Sequence, residues 1–287
     1  ATRIVALVAP QATSSIAEYA MPGYYWADLT TNEIEGLAGP DPVIVIPVAA
    51  IEQHGPHLPL SVDTDINDGI LAAALPQIPD HSTVLVLPTL AIGKSNEHAA
   101  FAGTLTHSAE ALIRSWTEVA ESVIASGFRR LLFFNSHGGQ SHIAEIVAVD
   151  LRVRHGVLAA WTSWTALGLP NGLIDEDERR FGIHGGAIET AMMLYLHADK
   201  VRRDKIADWP SFAESLEKSA RHLSAGRRVG FAWQTQDLNP SGAVGNAMTA
   251  NESTGRLLVD HAAEQLCSLI EDLRHFDLTV LNRARKE

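Results

Sequence analysis

The sequence predicts an α/β protein, a layered sandwich in which a mainly parallel central sheet is flanked by helices. Three observations support this prediction: short, almost continuous apolar runs recur along the chain, helical patterns separate them, and no internal repeat is present. Almost continuous apolar runs are typical of parallel strands that are buried on both faces. Strands that alternate with helices are joined by right-handed crossovers, so helices cover both faces of one sheet.

Four apolar runs are predicted to be strands. They span residues 43–48, 83–88, 130–135 and about 157–161. Each is almost continuously apolar, as a central strand of a parallel sheet must be when helices cover both of its faces.

Five segments between and after these runs have the spacing of apolar residues that is typical of helices. They span 108–126 and, approximately, 67–77, 141–154, 185–197 and 254–274. Ser108 is expected to cap the helix 108–126, and Gly127 to end it. We expect Asp65 or Asn67 to cap the helix that begins near Asp68.

The segment 201–252 has no regular pattern. Proline and glycine interrupt it, and its aromatic residues follow no period. We interpret it as an irregular excursion that covers a site or builds an oligomer contact. The whole chain, 1–287, is predicted to be a single domain, since its length suits one large α/β unit.

Composition narrows the class of protein. The 287 residues carry a formal net charge of -12, which argues against a nucleic-acid partner because phosphate binding needs a basic face. The single cysteine, Cys267, excludes an internal disulfide and suits a helix face. No apolar stretch approaches the roughly 18 to 20 residues of a membrane span. These features predict a soluble, cytoplasmic protein with no membrane partner.

Carboxylates and histidines are concentrated directly after the predicted strands and at the start of a late helix, where α/β proteins bind ligands. They are Glu52, His54, His57, Asp63 and Asp65 after the first strand, His137 after the third, and His184 with Glu189 at the helix. Glu52 and His54 are two residues apart, so an extended segment places both side chains on one side; Asp63 and Asp65 share this spacing. The mixed nitrogen and oxygen ligands suit zinc or manganese.

Simpler interpretations exist for each residue alone. A histidine is more often a surface or hydrogen-bonded residue than a ligand, and an acidic residue after a strand often caps the next helix. Three clusters of ligand-type residues at strand ends are harder to explain by caps, and they favour a metal site. The chain has no serine-hydrolase elbow, phosphate-binding loop or dinucleotide fingerprint, so a nucleophilic side chain is the weaker alternative.

Four motifs in this order resemble those of the creatininase (creatinine amidohydrolase) family. They are PVAAIEQHGPHLP at 47–59 with Asp63, GKSNEH at 93–98 with FAGT at 101–104, NSHGG at 135–139, and HGG at 184–186 with Glu189 and Thr190. The resemblance extends over roughly residues 26 to 260, and its first motif is highly specific.

The resemblance implies a compact creatininase-like sandwich that assembles as a homohexamer and binds two divalent ions, Zn2+ and/or Mn2+. Such an enzyme opens a cyclic amide or a related C–N bond of a small molecule through a hydroxide that bridges the two ions. By position, Glu52 and His137 resemble ligands of one ion, His54 resembles a ligand of the other, and Asp63 resembles the carboxylate that bridges them.

The resemblance also implies catalytic and substrate-binding residues. His184 matches the catalytic histidine. Creatininase has a glutamate where this chain has Gly139, so Glu189 is the candidate that completes the second ion's ligands, besides a catalytic role. The substrate-binding candidates are Ser95, His98, Trp164, Gly138 and Gly139.

Two further departures concern the substrate. Ile183 stands where creatininase has a glutamate, and Arg180 where it has a tryptophan, so creatinine is not the expected substrate. A core-packed Trp164 remains an alternative to the substrate-covering tryptophan. Five charged or polar residues are candidates for binding a polar or anionic group, with an exposed surface role as the alternative: Lys94, Glu97, His98, Arg179 and Arg180.

Two other functions are compatible with these residues. The first is hydrolysis of another bond, such as a formamide, a lactone, a cyclic dicarbonyl or a peptide. The second is a non-catalytic binding protein with the same fold, which the intact set of Glu52, His54, Asp63 and His137 argues against.

Overall fold

Five short segments pair side by side into one parallel sheet. The structure is a computed structural model that describes residues 23–225 and 229–282. Its sheet consists of β1 (Gly23–Tyr25), β2 (Val43–Val48), β3 (Val84–Val86), β4 (Arg130–Asn135) and β5 (Leu158–Ser163), in the order β1-β3-β2-β4-β5. The predicted α/β fold with a parallel sheet is confirmed. The bounds predicted for β2 and β4 are also confirmed, whereas β3 is shorter than predicted and β1 was not predicted.

Helices cover both faces of this sheet. They are α1 (Thr31–Leu37), α2 (Val62–Ala74), α3 (Ala109–Ala125), α4 (Ser141–His155), α5 (Glu176–Phe181), α6 (Ala187–Leu196), α7 (Phe212–Ser219), α8 (Thr235–Leu238) and α9 (Glu252–His275). Alternate residues of β2 face opposite sides, as the strand period of two requires. Val43 and Val45 pack with α2, α6 and α9, and Ile44 and Ile46 pack with α3 and α4.

The N-terminal cap predicted for α3 is confirmed. The Ser108 hydroxyl accepts a hydrogen bond from the Ala111 amide at 3.2 Å. Cys267 lies half-buried on α9, and burial raises the pKa of its thiol to about 11. Its place on a helix agrees with the sequence pattern, and the raised pKa makes it a poor nucleophile. Across residues 23–225 and 229–282, every helix is too short or too polar to cross a membrane.

The start predicted for α2 is wrong. The helix begins at Val62, and neither Asp65 nor Asn67 caps it. Both oxygens of Asp65 lie 2.9 Å from the Lys200 ammonium. Acidic side chains are favourable in the first turn of a helix, which explains why α2 includes Asp63 and Asp65. Because residues two apart in a helix point in different directions, these two aspartates do not share a side.

Asn67 lies one helical turn after Asp63 and is fully buried. Its amide nitrogen lies 3.3 Å from the carbonyl oxygen of Val48, 3.1 Å from that of Phe134 and 3.2 Å from the hydroxyl of Ser136. One side chain of α2 therefore bonds to the carboxyl ends of both β2 and β4.

The segment predicted to be irregular contains several short elements. They are β6 (Asp208–Trp209), which pairs antiparallel with β9 (Gly245–Asn246), and β7 (Leu223–Ser224), which pairs with β8 (Val229–Gly230), besides α7 and α8. Within this segment Val244 is fully buried and exchanges backbone hydrogen bonds with His184. The excursion therefore packs against residues that follow α5, beside the carboxyl edge of the sheet.

Candidate metal centre

The segments that follow β2, β3 and β4 bring a carboxylate and two imidazoles together. Glu52, four residues after β2, is buried, and its Oε1 lies 3.2 Å from His137 Nδ1, which follows β4. The same oxygen lies 3.2 Å from His98 Nε2. Residues that are far apart in sequence thus meet where the two parallel strands end, as expected for ligand sites in α/β sheets.

The His54 ring is fully buried, and its backbone neighbour defines its tautomer. Nδ1 donates to the carbonyl oxygen of Glu52 at 3.1 Å, so Nε2 carries the lone pair. Nε2 lies 3.9 Å from Asp63 Oδ2 and 3.8 Å from Glu189 Oε2. An imidazole that donates from one nitrogen and points its lone pair at carboxylates is arranged as a metal ligand.

The His137 ring has the opposite orientation. Its Nε2 donates to the carbonyl oxygen of Lys94 at 2.9 Å, so Nδ1 is the atom that faces the carboxylates. Burial opposes protonation of this ring, but the charge of Glu52 outweighs it and raises the pKa of His137 well above its usual range, so a metal ion bound at Nδ1 would displace a proton. Nδ1 lies 3.8 Å from Asp63 Oδ2, the oxygen that also faces His54. One carboxylate oxygen therefore lies between two imidazole nitrogens.

Three atoms at this point have no hydrogen-bond partner although they are buried. They are Glu52 Oε2, His54 Nε2 and Asp63 Oδ2. Buried polar atoms are almost always paired, so three orphans that face one another favour a cation-binding site at this point. Three overlapping sets of potential ligand atoms lie within 4.8 Å of one another: Glu52, His54, His184; Glu52, Glu97, His137; and His54, Asp63, Glu189. Imidazole nitrogens and carboxylate oxygens fit divalent zinc or manganese.

The electrostatics of the site also favour a cation. Burial, and then the charge of Glu52, raise the pKa of Asp63 well above its usual range. Burial lowers the pKa of His54 well below its usual range, so this ring is neutral at pH 7. Burial opposes ionisation of Glu52 as well, but His137 and His98 outweigh it and lower the pKa of Glu52. A neutral imidazole and crowded carboxylates match what a metal ion requires of its ligands.

His184 and Glu189 lie on the segment that leads into α6. His184 Nε2 donates to the carbonyl oxygen of Gln53 at 2.7 Å, so its Nδ1 faces Glu52 Oε1 at 3.8 Å. Glu189 Oε2 accepts from the Gly185 amide at 2.6 Å. Gly185 has a φ of +64°, a conformation that glycine adopts readily, and this bends the backbone so that the amide reaches Glu189.

Two cavities meet at this cluster. The Trp233 cavity, of about 610 Å³, is lined among others by Glu97, His98, Phe231 and Trp233, and the Arg179 cavity, of about 420 Å³, by Trp164, Thr165 and Arg179. Five residues line both cavities: Ser136, His137, Gly138, Ile183 and Glu189. The cluster therefore lies where the two cavities join.

The predicted substrate-binding residues lie at different places relative to the two cavities. Gly138 lines both cavities, His98 and Gly139 line the Trp233 cavity, and Trp164 lines the Arg179 cavity while also packing in the core. Ser95 is fully buried and lines neither cavity. His98 accepts from Gln53 through Nδ1, so its Nε2 donates to Glu52.

Two residues of the ligand-type clusters lie outside the metal centre. Asp65 pairs with Lys200, as described above. His57 is buried, its Nε2 lies 2.8 Å from the Thr190 hydroxyl, and its ring packs on Trp209 with centroids 4.6 Å apart. Neither residue was expected to hold an ion, but the shared side expected for Asp63 and Asp65 is wrong because both lie in α2 rather than in an extended run.

Sequence reasoning considered Glu97 only as a substrate contact. The structure places Glu97 Oε1 3.3 Å from His137 Nε2, on the side of the ring that faces away from Asp63. A Cβ atom at position 139 would overlap the Glu97 carboxylate, so this carboxylate requires Gly139. No local signal in the sequence indicates this role, because it depends on where the His137 ring lies in the folded chain.

The fold and the site define an α/β protein with a carboxylate and imidazole centre at the carboxyl edge of a parallel sheet. The chain belongs to the creatininase family, whose model, described as creatinine amidohydrolase, matches residues 27–270. It is a creatininase-family hydrolase.

Sequence relatives have two different names. A mycofactocin precursor peptide peptidase of Mycobacterium ulcerans is 30% identical over 248 residues, which cover 85% of this chain and 90% of the relative. One of Mycobacterium tuberculosis is 33% identical, with 77% and 81% covered. A creatinine amidohydrolase of Pseudomonas putida is 28% identical, with 64% and 75% covered.

Solved structures of creatininases share the fold. A Bacteroides fragilis protein assigned as a creatinine amidohydrolase superposes with a TM-score of 0.73 at 20% identity, covering 88% of this chain and 97% of the other. A manganese form of creatininase gives 0.68 at 22% identity, with 86% and 97% covered. A zinc form of a creatininase variant gives 0.67 at 23% identity, also with 86% and 97% covered.

Proposed function

We propose that this protein is a metal-dependent amidohydrolase that opens a C–N bond, in a cyclic amide or a related compound, with two divalent ions, Zn2+ and/or Mn2+. The observation that carries the proposal is the set of buried atoms without partners on Glu52, His54 and Asp63. Metal forms of creatininase, with manganese or zinc, add support.

The residues divide into two ligand groups around Asp63. Glu52 Oε1 and His137 Nδ1, 3.2 Å apart, would hold one ion. His54 Nε2 and Glu189 Oε2, 3.8 Å apart, would hold the other. Asp63 Oδ2 faces both imidazoles and would bridge the ions. Glu189 would thus supply the carboxylate that Gly139 cannot.

When bound, a pair of divalent ions lowers the pKa of water and polarises the carbonyl that is attacked. The chain's own contribution is proton transfer by His184. Because Nε2 is engaged by the Gln53 carbonyl, Nδ1 is the atom that takes up a proton and delivers it to the departing nitrogen. Gln53 also bonds to His98 and to the Gly242 carbonyl, which holds the segment that orients His184.

A second candidate is hydrolysis of a peptide or of another acyclic amide. The relatives named as peptidases, at 30% and 33% identity, favour it. Two joined cavities of about 610 Å³ and 420 Å³ also offer more room than a single small ring needs.

Metal analysis and a substrate panel test the proposal. We expect about two zinc or manganese ions per chain, as two-metal hydrolases require. Metal-loaded protein is then assayed against cyclic amides, imides, lactones, formamides and short peptides. Protein that contains no metal after gentle purification would support the non-catalytic binding protein instead.

The variant His184→Ala tests whether His184 is a proton donor or a metal ligand. Loss of turnover by about a hundred-fold or more, with metal content unchanged, is expected for a proton donor. Loss of metal would make His184 a ligand, a role that its place beside Glu52 and His54 also permits.

We also propose a cytoplasmic homohexamer, on the basis of the family resemblance. An exposed apolar stripe on α4 supports an oligomer contact: Ile146, Val149 and Val153 follow helical spacing and are 47%, 49% and 76% exposed. Sedimentation of the protein and of Val153→Glu tests this, because a charge in the stripe should dissociate the assembly.

A further inference from the structure

We propose that the Arg179 cavity is a binding site for a carboxylate of the substrate, so that the substrate is an amide with an anionic group on one side of the bond that is cleaved and an apolar group on the other. This inference rests on the proposed amidohydrolase function and specifies its substrate class. N-acyl amino acids and short peptides belong to this class, whereas an uncharged ring such as a simple cyclic amide does not.

The position of the two cavities requires a ligand that spans them to pass over the metal centre. His137, Gly138 and Glu189 line both cavities, so the bond that faces the cluster lies between two separate volumes. Each volume, about 610 Å³ and about 420 Å³, falls in the range of pockets that bind whole small molecules. The two ends of such a ligand are therefore recognised by different surfaces.

Arg179 is the residue that gives one of these surfaces a positive charge. Among the described residues that line either cavity, it is the one lysine or arginine. Within the described ranges 23–225 and 229–282 its guanidinium forms no ion pair and donates no side-chain hydrogen bond. The guanidinium is thus free to bind a carboxylate in the two-pronged geometry that arginine favours.

The other candidates for an anion-binding residue are excluded by their positions. The neighbouring Arg180 pairs with Glu217 and lies over the Phe181 ring, with 5.1 Å between the guanidinium and the centroid. Lys94 lines neither cavity. Both ring nitrogens of His98 are already engaged, Nδ1 by Gln53 and Nε2 by Glu52, so neither is open to an anion.

The surroundings of Arg179 are suited to an anion, and those of the opposite cavity are not. Ser163 and Thr165 line the Arg179 cavity, and because their hydroxyls bond to each other at 2.9 Å, one of the two hydroxyl hydrogens remains to donate to a carboxylate. Among the described residues that line the Trp233 cavity there is no lysine or arginine, and Glu97, which is not among the proposed ligands of the ions, would repel an anion there. Its Phe231 and Trp233 would instead contact an apolar group, and this difference gives the substrate a direction of binding.

Hippurate and hippuramide form a matched pair of probes, because each carries a benzoyl group on an amide and only hippurate carries a carboxylate. We expect zinc-loaded protein to bind hippurate about ten-fold more tightly than hippuramide, as a charge-assisted pair supplies. Arg179→Met should remove this preference, by weakening hippurate and leaving hippuramide unchanged. Arg180→Met, one residue away on the same helix, should keep the preference.

Binding is measured by calorimetry, and hydrolysis of the two probes is assayed in parallel. The inference is overturned if hippurate does not bind at millimolar concentration, if Arg179→Met weakens both probes equally, or if Arg180→Met abolishes the preference as well. Hydrolysis of neither probe nor of any other amide by metal-loaded protein counts against the proposed function, while the two dissociation constants still decide the role of Arg179.

Discussion

Both ends of β4 carry buried charged or polar groups. Those at the amino end have hydrogen-bond partners, whereas three atoms at the carboxyl end have none. At the amino end, the guanidinium of Arg130 donates to the carbonyls of Pro40, Leu273 and Phe276 at 2.7, 2.6 and 2.8 Å. At the carboxyl end, beside His137, three buried ligand-type atoms have no partner. A satisfied buried group supports the fold, whereas an unsatisfied cluster indicates that a ligand belongs there.

Asp63→Asn should have the largest effect, since it removes the oxygen that faces both imidazoles. We expect metal content to fall from about two ions per chain to fewer than one, and activity to fall with it. Asp65→Asn is the matched control, because Asp65 lies in the same helical turn but pairs with Lys200 outside the cluster. Equal metal contents in the two variants, measured by mass spectrometry, would refute the ligand role of Asp63.

Arg130→Met tests the other end of the strand. The change leaves three carbonyl oxygens without their donor, so we expect a loss of about 3 kcal/mol in the free energy of unfolding. Metal content at 25 °C should be unchanged, because no ligand is touched. If the variant has the same denaturation midpoint as the wild type, the hydrogen bonds of the Arg130 guanidinium do not stabilise the fold.

The variant Glu97→Gln tests whether Glu97 binds metal itself or supports the ligand His137. The Glu97 carboxylate faces His137 Nε2, so loss of its charge should weaken metal binding about ten- to a hundred-fold without abolishing it. A competition titration with a chelator measures this. Gly139→Ala should act in the same direction, since its Cβ would displace the Glu97 carboxylate. If both variants bind metal with unchanged affinity, Glu97 only packs in the site and does not support metal binding.

His57 tests whether every buried histidine at the carboxyl edge belongs to the metal centre. Burial lowers its pKa from 6.5 to about 4, so the folded state favours the neutral ring. The stability that this provides is present above pH 6.5 and is lost as the pH falls towards about 4. His57→Gln should therefore flatten the decline of unfolding free energy between pH 7 and 5 by about 1 to 2 kcal/mol, with metal content unchanged. A parallel decline in both proteins would contradict this.

The sequence was most informative where a local pattern decides the structure. β2 and β4 are almost continuously apolar, and their bounds were predicted correctly for that reason. β1 consists of Gly23–Tyr25 and owes its strand conformation to pairing with β3, which no local pattern reveals. The start of α2 was misplaced because an acidic residue can either cap a helix or occupy its first turn.

The candidate site followed the same rule. The structure brings Glu52, His54, Asp63 and His137 together, as the strand-end argument expected. The position of Glu97 beside His137 and the unpaired guanidinium of Arg179 among the described residues could not be predicted from the sequence. Both depend on the contacts that other side chains make in the folded chain. Arg180 pairs with Glu217, 37 residues away, whereas its neighbour Arg179 has no such partner within the part of the chain that the structure describes.

Asn67 has a consequence for how the site responds to metal. Its amide joins the ends of β2 and β4 in the same helix that carries Asp63. The width of the site is therefore set by the folded chain, and loading with ions of different radius should leave the strand spacing constant. The protein would then select among divalent ions by the fixed distance between its ligands, rather than by adjusting its structure to each ion.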